Sequence, residues 1–600
     1  MPRSAGYRRL GNVVRVLIQL LASYIRQRHV FGVTGGKEAS GDGEEKTVSK
    51  LASERAEAER RGRFSVKRST ILGILASLAA FLAVGLVSGC SGSESAQEEA
   101  PTQPEGTESP QGVEEASAQP NILFVLTDDL DYTSVEKMPQ IGSLLAEEGA
   151  TFENAFVSHP ICCPSRSTIL TGLYDHNHGV LGNAPPDGGF QKFLSEGHEE
   201  NTIGAGLQEG GYRTGFFGKY LNGYPGNEGP TYVPPGWDEW YGKLDKQKLY
   251  DYRVNENGEE VSYGSEEEDF YTDVLSEQAT DFVRQAAPED VPFFAYMAPT
   301  APHGPATPAE RHEGAFADEE APRPPSFDEE DVSDKPSPVR DAGRITEEEV
   351  SNIDDYYRQR LESMLAVDEM VGSLVEELEA AGELDNTYIF FTSDNGWFQG
   401  EHRIHSTKNR PYEESARVPL LARGPGVPAG SEVQELALNT DFAPTFAELA
   451  GLEGEFGEVD GRSLTPLMSG EEPASWRSAV LLERLPSEED GGGSGKGKGK
   501  AKGKGDKAGE GKEGKTGAGG VPKAGPGNPG PFRAVRTGTH KYVEYENGEE
   551  ELYDLEADPY ELENVYETSD ASLVEDLRAR LEALRDCSGD GCREAEDGAP

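Results

Sequence analysis

Cysteine is scarce in this chain: 600 residues carry five, at 90, 162, 163, 587 and 592. So few and so clustered, they exclude a disulfide-built scaffold, and each group needs its own explanation. Positive charge is also short, with 56 Lys and Arg against 109 Asp and Glu and a formal net charge of −53. That excludes nucleic acid and anionic lipid as general partners, because both demand a basic face. An anionic substrate would need a locally positive pocket. Length is ample: 600 residues exceed what one core usually serves, so a large domain with a smaller partner and tails is expected.

Residues 1–70 are polar and rich in Arg and Glu apart from a short apolar run at 13–21, which reads as an extension ahead of the true start. Arg60, Arg61, Arg63, Lys67 and Arg68 then lead into the apolar run 71–87, followed by Ser88, Gly89 and Cys90. Charge, apolar run and small residues in that order make an export signal. Val87-Ser88-Gly89-Cys90 also resembles the lipobox of bacterial lipoproteins, which makes Cys90 the lipid-bearing residue. An uncleaved anchor is the alternative, since the run is long enough to span a bilayer. Either way the chain is expected outside the cytoplasm, tethered to a membrane at the cell surface. Residues 91–119 hold almost no large apolar side chain and cannot order themselves. They read as a flexible tether of about 30 Å, with the folded region starting at Pro120.

Four apolar runs follow and end alike. Residues 121–127 (NILFVLT) end at Asp128-Asp129, and 388–393 (YIFFTS) at Asp394-Asn395-Gly396. Residues 292–297 (PFFAYM) lead to a loop carrying His303, and 215–217 end at Gly218-Lys219. Their uniform apolarity predicts strands covered on both faces. A helix over 345–381 is opened by the capping-box pattern Thr346-x-x-Glu349 and closed by Gly382. Strands alternating with helices predict an α/β fold: a large, mostly parallel sheet covered by helices, with polar groups at the carboxyl ends of the strands sharing one crevice.

Asp128, Asp129, Asp394 and Asn395 are hard oxygen donors, suited to Ca²⁺ or Mg²⁺ rather than zinc. One such Asp is accounted for as a helix cap; two pairs at two strand ends point to a metal. At 161–172 (ICCPSRSTILTG), Pro164 falls in the first turn of a helix that runs to Thr171. That places Cys162 and Cys163 at a helix N-terminus, where a thiol's pKa is lowered. The residues alone leave a thiol nucleophile, a disulfide or core packing open. A bond between neighbouring cysteines is strained, and packing does not explain Pro-Ser-Arg.

Cys162-x-Pro164-Ser165-Arg166, continued by Ile169-Leu170-Thr171-Gly172, resembles the signature of the formylglycine-dependent sulfatases of the alkaline-phosphatase-like superfamily. Gly211-Tyr212-Arg213-Thr214 through Gly218-Lys219 resembles the second signature of that family. The two Asp-containing pairs, Pro302-His303 and Lys408 ahead of Tyr412-Glu413 all fall in family order. The likeness covers roughly residues 120–565. Within it, 162–172 with His176-Asn177-His178 and Gly218-Lys219-Tyr220-Leu221-Asn222 look most like N-acetylglucosamine-6-sulfatases and arylsulfatases.

The resemblance implies that Cys162 is oxidised to formylglycine by a formylglycine-generating enzyme. Hydrated to a geminal diol, it would attack the sulfur of a sulfated sugar or aryl sulfate with one hydroxyl and expel sulfate with the other. Asp128, Asp129, Asp394, Asn395 and residue 162 would hold Ca²⁺, with Mg²⁺ the alternative. Asp394 would also act as base, Arg166 would orient the diol, and Lys219 and Lys408 would hold sulfate oxygens. His303 would serve the ester or the leaving oxygen. With a divalent metal the pocket carries a formal +2, welcoming a sulfate monoester despite the global −53. Long sulfated chains would be repelled by the outer surface, favouring small sugars or chain ends. One departure stands out: where many sulfatases have a histidine two or three residues after the signature lysine, this chain has Leu221 and Asn222. His176 and His178 are the candidate replacements.

Residues 418–423 and 441–449 read as a further strand and helix that close a catalytic domain of 120–475. A C-terminal α+β subdomain follows over 476–586, with strands within 476–485 and 532–545 and a helix at 573–585. Its Gly/Lys-rich insertion at 488–530 reads as disordered. In the tail, 587–600, Cys587 and Cys592 are expected to form a small disulfide if exported. Two rivals remain: a phosphate or phosphonate ester hydrolase of the same superfamily, and a catalytically silent glycan-binding lipoprotein.

Overall fold

Strand β1 (Asn121–Thr127) has every residue buried, as its unbroken apolar run requires. Successive side chains alternate between faces. Ile122, Phe124 and Leu126 enter one core with Phe152, Phe442 and Phe446; Leu123 and Val125 enter a second with Phe282, Leu361 and Leu374. Each fully buried Leu or Phe contributes about 1.5–3 kcal/mol, so neither face of β1 tolerates solvent. The computed structural model describes residues 119–487 and 525–598, apart from 290, 455, 472 and 528. The expected export run, Cys90, the tether and most of the Gly/Lys-rich insertion lie outside the described residues. Among the described residues, no helix is long and apolar enough to cross a membrane.

After β1 come β2 (Ala150–Phe156), α1 (Cys162–Thr171), β3 (Arg213–Gly218), β4 (Glu239–Lys243), β5 (Arg253–Glu256) and β6 (Glu259–Ser262). Next are α2 (Tyr271–Ala286), β7 (Phe293–Ala298), α3 (Glu347–Ala381), β8 (Thr387–Ser393) and the short hairpin of β9 (Phe398–Gln399) and β10 (His405–Thr407). Then follow β11 (Leu420–Arg423), β12 (Ser431–Leu438) and α4 (Phe442–Leu449). Ten strands form one sheet in the order β12-β2-β11-β8-β1-β7-β3-β4-β5-β6. Only β11 and β5 run against the others.

The expected capping box opens α3: Thr346 Oγ1 accepts from the Glu349 amide and Glu349 Oε2 accepts from the Thr346 amide, worth about 1 kcal/mol. Gly382 ends the helix at φ +81°. In the sheet, β1 pairs in parallel with β7 and β8, and β3 with β7. The carboxyl ends of β8, β1, β7 and β3 therefore lie side by side.

A second, antiparallel sheet of β13 (Ala479–Arg484), β14 (Phe532–Thr537), β15 (His540–Tyr545) and β16 (Glu550–Asp554) carries α5 (Ala571–Leu584) and α6 (Asp590–Asp597). The Cys587–Cys592 disulfide is present. Helix α6 is packed rather than trailing: its Glu596 is fully buried, where it accepts from Tyr174 Oη at 2.6 Å and pairs with Arg477 Nε at 3.0 Å.

Candidate active site

The chain leaves β1 through Asp128 and Asp129, and Asp129 sits at φ +69°, a left-handed conformation that Asp adopts more readily than most residues. That turn aims its amide at Asp394 Oδ1, 3.1 Å away, and its carboxylate at Asn395, whose Nδ2 donates to Oδ1 at 2.8 Å. The two strand-end pairs therefore meet across the β1–β8 seam. Beneath them Arg360 of α3 donates to the Asp129 carbonyl at 2.5 Å and to Asp131 Oδ1 at 3.1 Å. Arg360 was not among the sequence candidates. Its signal is an arginine on the buried face formed by Tyr357, Leu361 and Met364.

Helix α1 begins at Cys162 with all ten residues buried and ends at Gly172, φ +73°. Cys162 Sγ lies 3.4 Å from Asp128 Oδ1 and 2.8 Å from Lys408 Nζ. One turn on, Arg166 donates from Nε to Asp394 Oδ2 at 2.7 Å and from Nη1 to the Lys219 carbonyl at 2.8 Å. Lys219 follows β3 and reaches Asp128 Oδ2 at 2.6 Å. The glycine before it is required: at φ +130°, a Cβ on Gly218 would meet the Ala298 carbonyl oxygen at 2.1 Å. Lys408 is also hydrogen-bonded to Asp129 Oδ1. His303, from the loop after β7, places Nε2 3.7 Å from Asp129 Oδ2. Asp128, Asp129, Arg166, Lys219, His303, Asp394, Asn395 and Lys408 thus gather around Cys162.

Burial pushes the Cys162 thiol up to about 12, outweighing Lys219 and Lys408, which pull it down. The lowered thiol pKa expected at a helix N-terminus is not realised, so an unmodified Cys162 is a poor nucleophile at neutral pH. Asp128 goes the other way: burial raises its carboxyl, but Lys219, His303 and Arg166 together hold it well below the usual range. Burial disfavours the ammonium of Lys408, yet Asp129 and its neighbours raise it well above the ordinary lysine value.

The donor set fits a cation. Asp129 Oδ2 and Asn395 Oδ1 are buried without a hydrogen-bond partner, and a buried oxygen left so costs about 1–3 kcal/mol. One donor atom each from Asp128, Asp129, Cys162 and His303 lie within 4.8 Å of one another. The two carboxylates and the Asn395 amide oxygen suit a hard divalent ion.

The sulfatase family model matches residues 120–452. The chain belongs to the sulfatase family. This sulfatase, a sulfuric ester hydrolase, is 35% identical over 506 residues to N-acetylglucosamine-6-sulfatase of Homo sapiens, spanning 80% of this chain and 87% of the relative. It is similar to the solved structure of BT4656 in complex with its substrate D-glucosamine-2-N,6-O-disulfate, with TM-score 0.60, 25% identity and 80% and 100% of the two chains covered. The phosphonate monoester hydrolase of Agrobacterium radiobacter shares the fold, at TM-score 0.56, 22% identity and 78% and 95% coverage.

His176 and His178 do not replace the histidine missing after Lys219. His176 is held by Glu483 Oε1 at 2.7 Å and the Cys587 carbonyl at 3.0 Å. His178 is held by Thr168 Oγ1 at 3.1 Å and the Val180 amide at 3.0 Å. Both rings are spent on structure: after Gly172 the chain carries His176 to Glu483 of the C-terminal sheet and folds His178 back onto Thr168 of α1. A histidine that sequence reasoning passed over, His159, sits beside the residue after Lys408: its Nε2 meets Asn409 Oδ1 at 3.2 Å while Nδ1 pairs with buried Asp175.

Proposed function

We propose that this sulfatase is exported, tethered to a membrane through Cys90 or the apolar run before it, and removes 6-O-sulfate from glucosamine-type sugars. The observation that carries the chemistry is Cys162, buried between Lys219 and Lys408 beside the two orphaned oxygens of Asp129 and Asn395. The human relative and the disulfated-glucosamine complex support the sugar. Converted to formylglycine by a maturation enzyme, residue 162 supplies a hydrated aldehyde with one hydroxyl for attack and one for release. Bound Ca²⁺, or Mg²⁺ in its place, adds positive charge where alkoxide character develops.

The chain's own residues do the rest. Arg166, fixed by Asp394 and the Lys219 carbonyl, orients the group at 162. Asp394 takes its proton. Lys219 and Lys408 turn from Asp128 and Asp129 to the sulfate oxygens, where fixed cations in a dry pocket stabilise developing charge. His303, partly open to solvent, holds or protonates the ester oxygen. The −53 net charge directs action to small sugars or chain ends.

The test is intact mass of the peptide spanning residue 162, alongside turnover of glucosamine-6-sulfate compounds, p-nitrophenyl sulfate and p-nitrophenyl phosphate. Conversion of the thiol with preference for the sulfates is expected. Preference for phosphate would favour the phosphonate-hydrolase relationship that the shared fold allows, and an unmodified thiol in native, inactive protein would favour glycan binding without turnover.

A further inference from the structure

A second group of ligating side chains gathers where the β9–β10 hairpin and the short helix Glu413–Ala416 meet the loop after β16. His402, on the hairpin turn, is fully buried, and its Nδ1 is 2.7 Å from Glu329 Oε2. That bond holds a proton on Nδ1, so Nε2 is left to a second proton or to an ion. Nε2 is buried without a hydrogen-bond partner and faces Glu414 Oε2 at 3.8 Å. Glu414 Oε2 also lacks a hydrogen-bond partner, while Glu561 Oε1 is paired with Lys541 Nζ. One donor atom each from His402, Glu414 and Glu561 lie within 4.8 Å of one another.

A carboxylate on one imidazole nitrogen with the other left for a ligand is the arrangement that orients metal-binding histidines. Charge agrees. Glu329, Glu401, Glu413, Glu414 and Glu561 crowd this junction, and the cations paired with them are Lys335, Lys541 and Arg536. Lys541 Nζ bridges Glu413 Oε1 and Glu561 Oε1, 2.8 Å from each, and retains Glu413 if Glu561 turns to an ion. A cavity of about 310 Å³ lined by Asp131, Glu401, Glu413 and Glu414 reaches one member of the cluster, Glu414.

We propose that His402 Nε2, Glu414 and Glu561 form a second divalent-cation site, for a borderline first-row ion of the zinc class, that clamps the catalytic domain to the C-terminal sheet. An imidazole nitrogen with two carboxylates selects zinc-like ions over Ca²⁺. A slight closing of the three side chains brings them to a common centre, leaving a fourth position for water from the cavity. The site is separate from Cys162 and does not depend on the proposed substrate.

Chelator-stripped full-length protein is titrated with Zn²⁺, and bound metal is counted after gel filtration for wild type, Glu414→Gln and Asp129→Asn. Wild type is expected to hold one more zinc than Glu414→Gln, and Asp129→Asn is expected to keep that ion. Zinc should raise the Tm of wild type and Asp129→Asn by several degrees and leave Glu414→Gln unmoved. Crystals of wild type grown with Zn²⁺ should show an anomalous peak about 2.1 Å from His402 Nε2; this measurement decides if the variant does not fold. Equal zinc in wild type and Glu414→Gln, or no peak at His402, overturns the proposal and leaves a proton as the group that balances the cluster.

Discussion

Replacing Lys219 with Met removes one ammonium from the pocket while keeping the backbone carbonyl that receives Arg166. Asp128, Asp129 and Asp394 balance Arg166, Lys219 and Lys408, so a divalent metal leaves a formal +2 and the variant retains +1. At about 4 Å and an effective dielectric near 20, one unit charge pair is worth about 4 kcal/mol. Loss of one preorganised donor typically costs about 2.7–4 kcal/mol, or roughly 10²–10³ in rate. The assay is kcat/KM on p-nitrophenyl sulfate at fixed ionic strength, normalised to the fraction of residue 162 converted and with bound metal measured in parallel. Lys219→Met should fall about 10²–10³-fold, and Lys219→Arg, which keeps the charge, should recover part of that loss. A loss below tenfold for Lys219→Met, with metal and conversion unchanged, would refute the role given to this lysine.

Asp129→Asn should weaken divalent-metal binding beside residue 162 at least about tenfold, since even outer-sphere partners of a metal carry that much; calorimetric titration of the stripped protein checks it. Burial opposes the Asp175 carboxylate, but His159 and His178 outweigh it and bring it to about 2. A depressed carboxylate stabilises fully above its unfolded value near 3.8 and loses that contribution as pH falls through about 2. The stability gap between wild type and Asp175→Asn should therefore shrink by about 2 kcal/mol between pH 6 and pH 2; a pH-independent gap in denaturant melts contradicts this. Arg477, fully buried, forks onto both oxygens of Asp441 at 2.7 and 2.5 Å and reaches Glu596. Arg477→Met strands two buried acids and should cost about 3–5 kcal/mol in denaturant unfolding.

The central sheet was legible because buried parallel strands are unbroken apolar runs, and their polar ends advertise the crevice. Strands β2 (ATFENAF) and β12 (SEVQELAL) were not, since each interrupts its buried positions with more open ones and β2 is placed by partners far away in sequence, β11 and β12. The signature residues were legible as motif and converge as expected. Arg360 and His159 were not, because each acts on a loop or side chain distant in sequence. His176 and His178 show the reverse error: closeness to Cys162 along the chain says nothing of direction once a left-handed glycine intervenes.

Cys162 is 1% exposed at the head of a helix with no open face. A maturation enzyme of the kind proposed above would have no access to this thiol once β1, β3 and β8 have closed around it. Maturation and folding would then be competitors on a clock: a molecule that folded first would be sealed with its thiol unconverted. The active fraction of a preparation would record the outcome of that race, and slowing the folding of newly made chains should raise it.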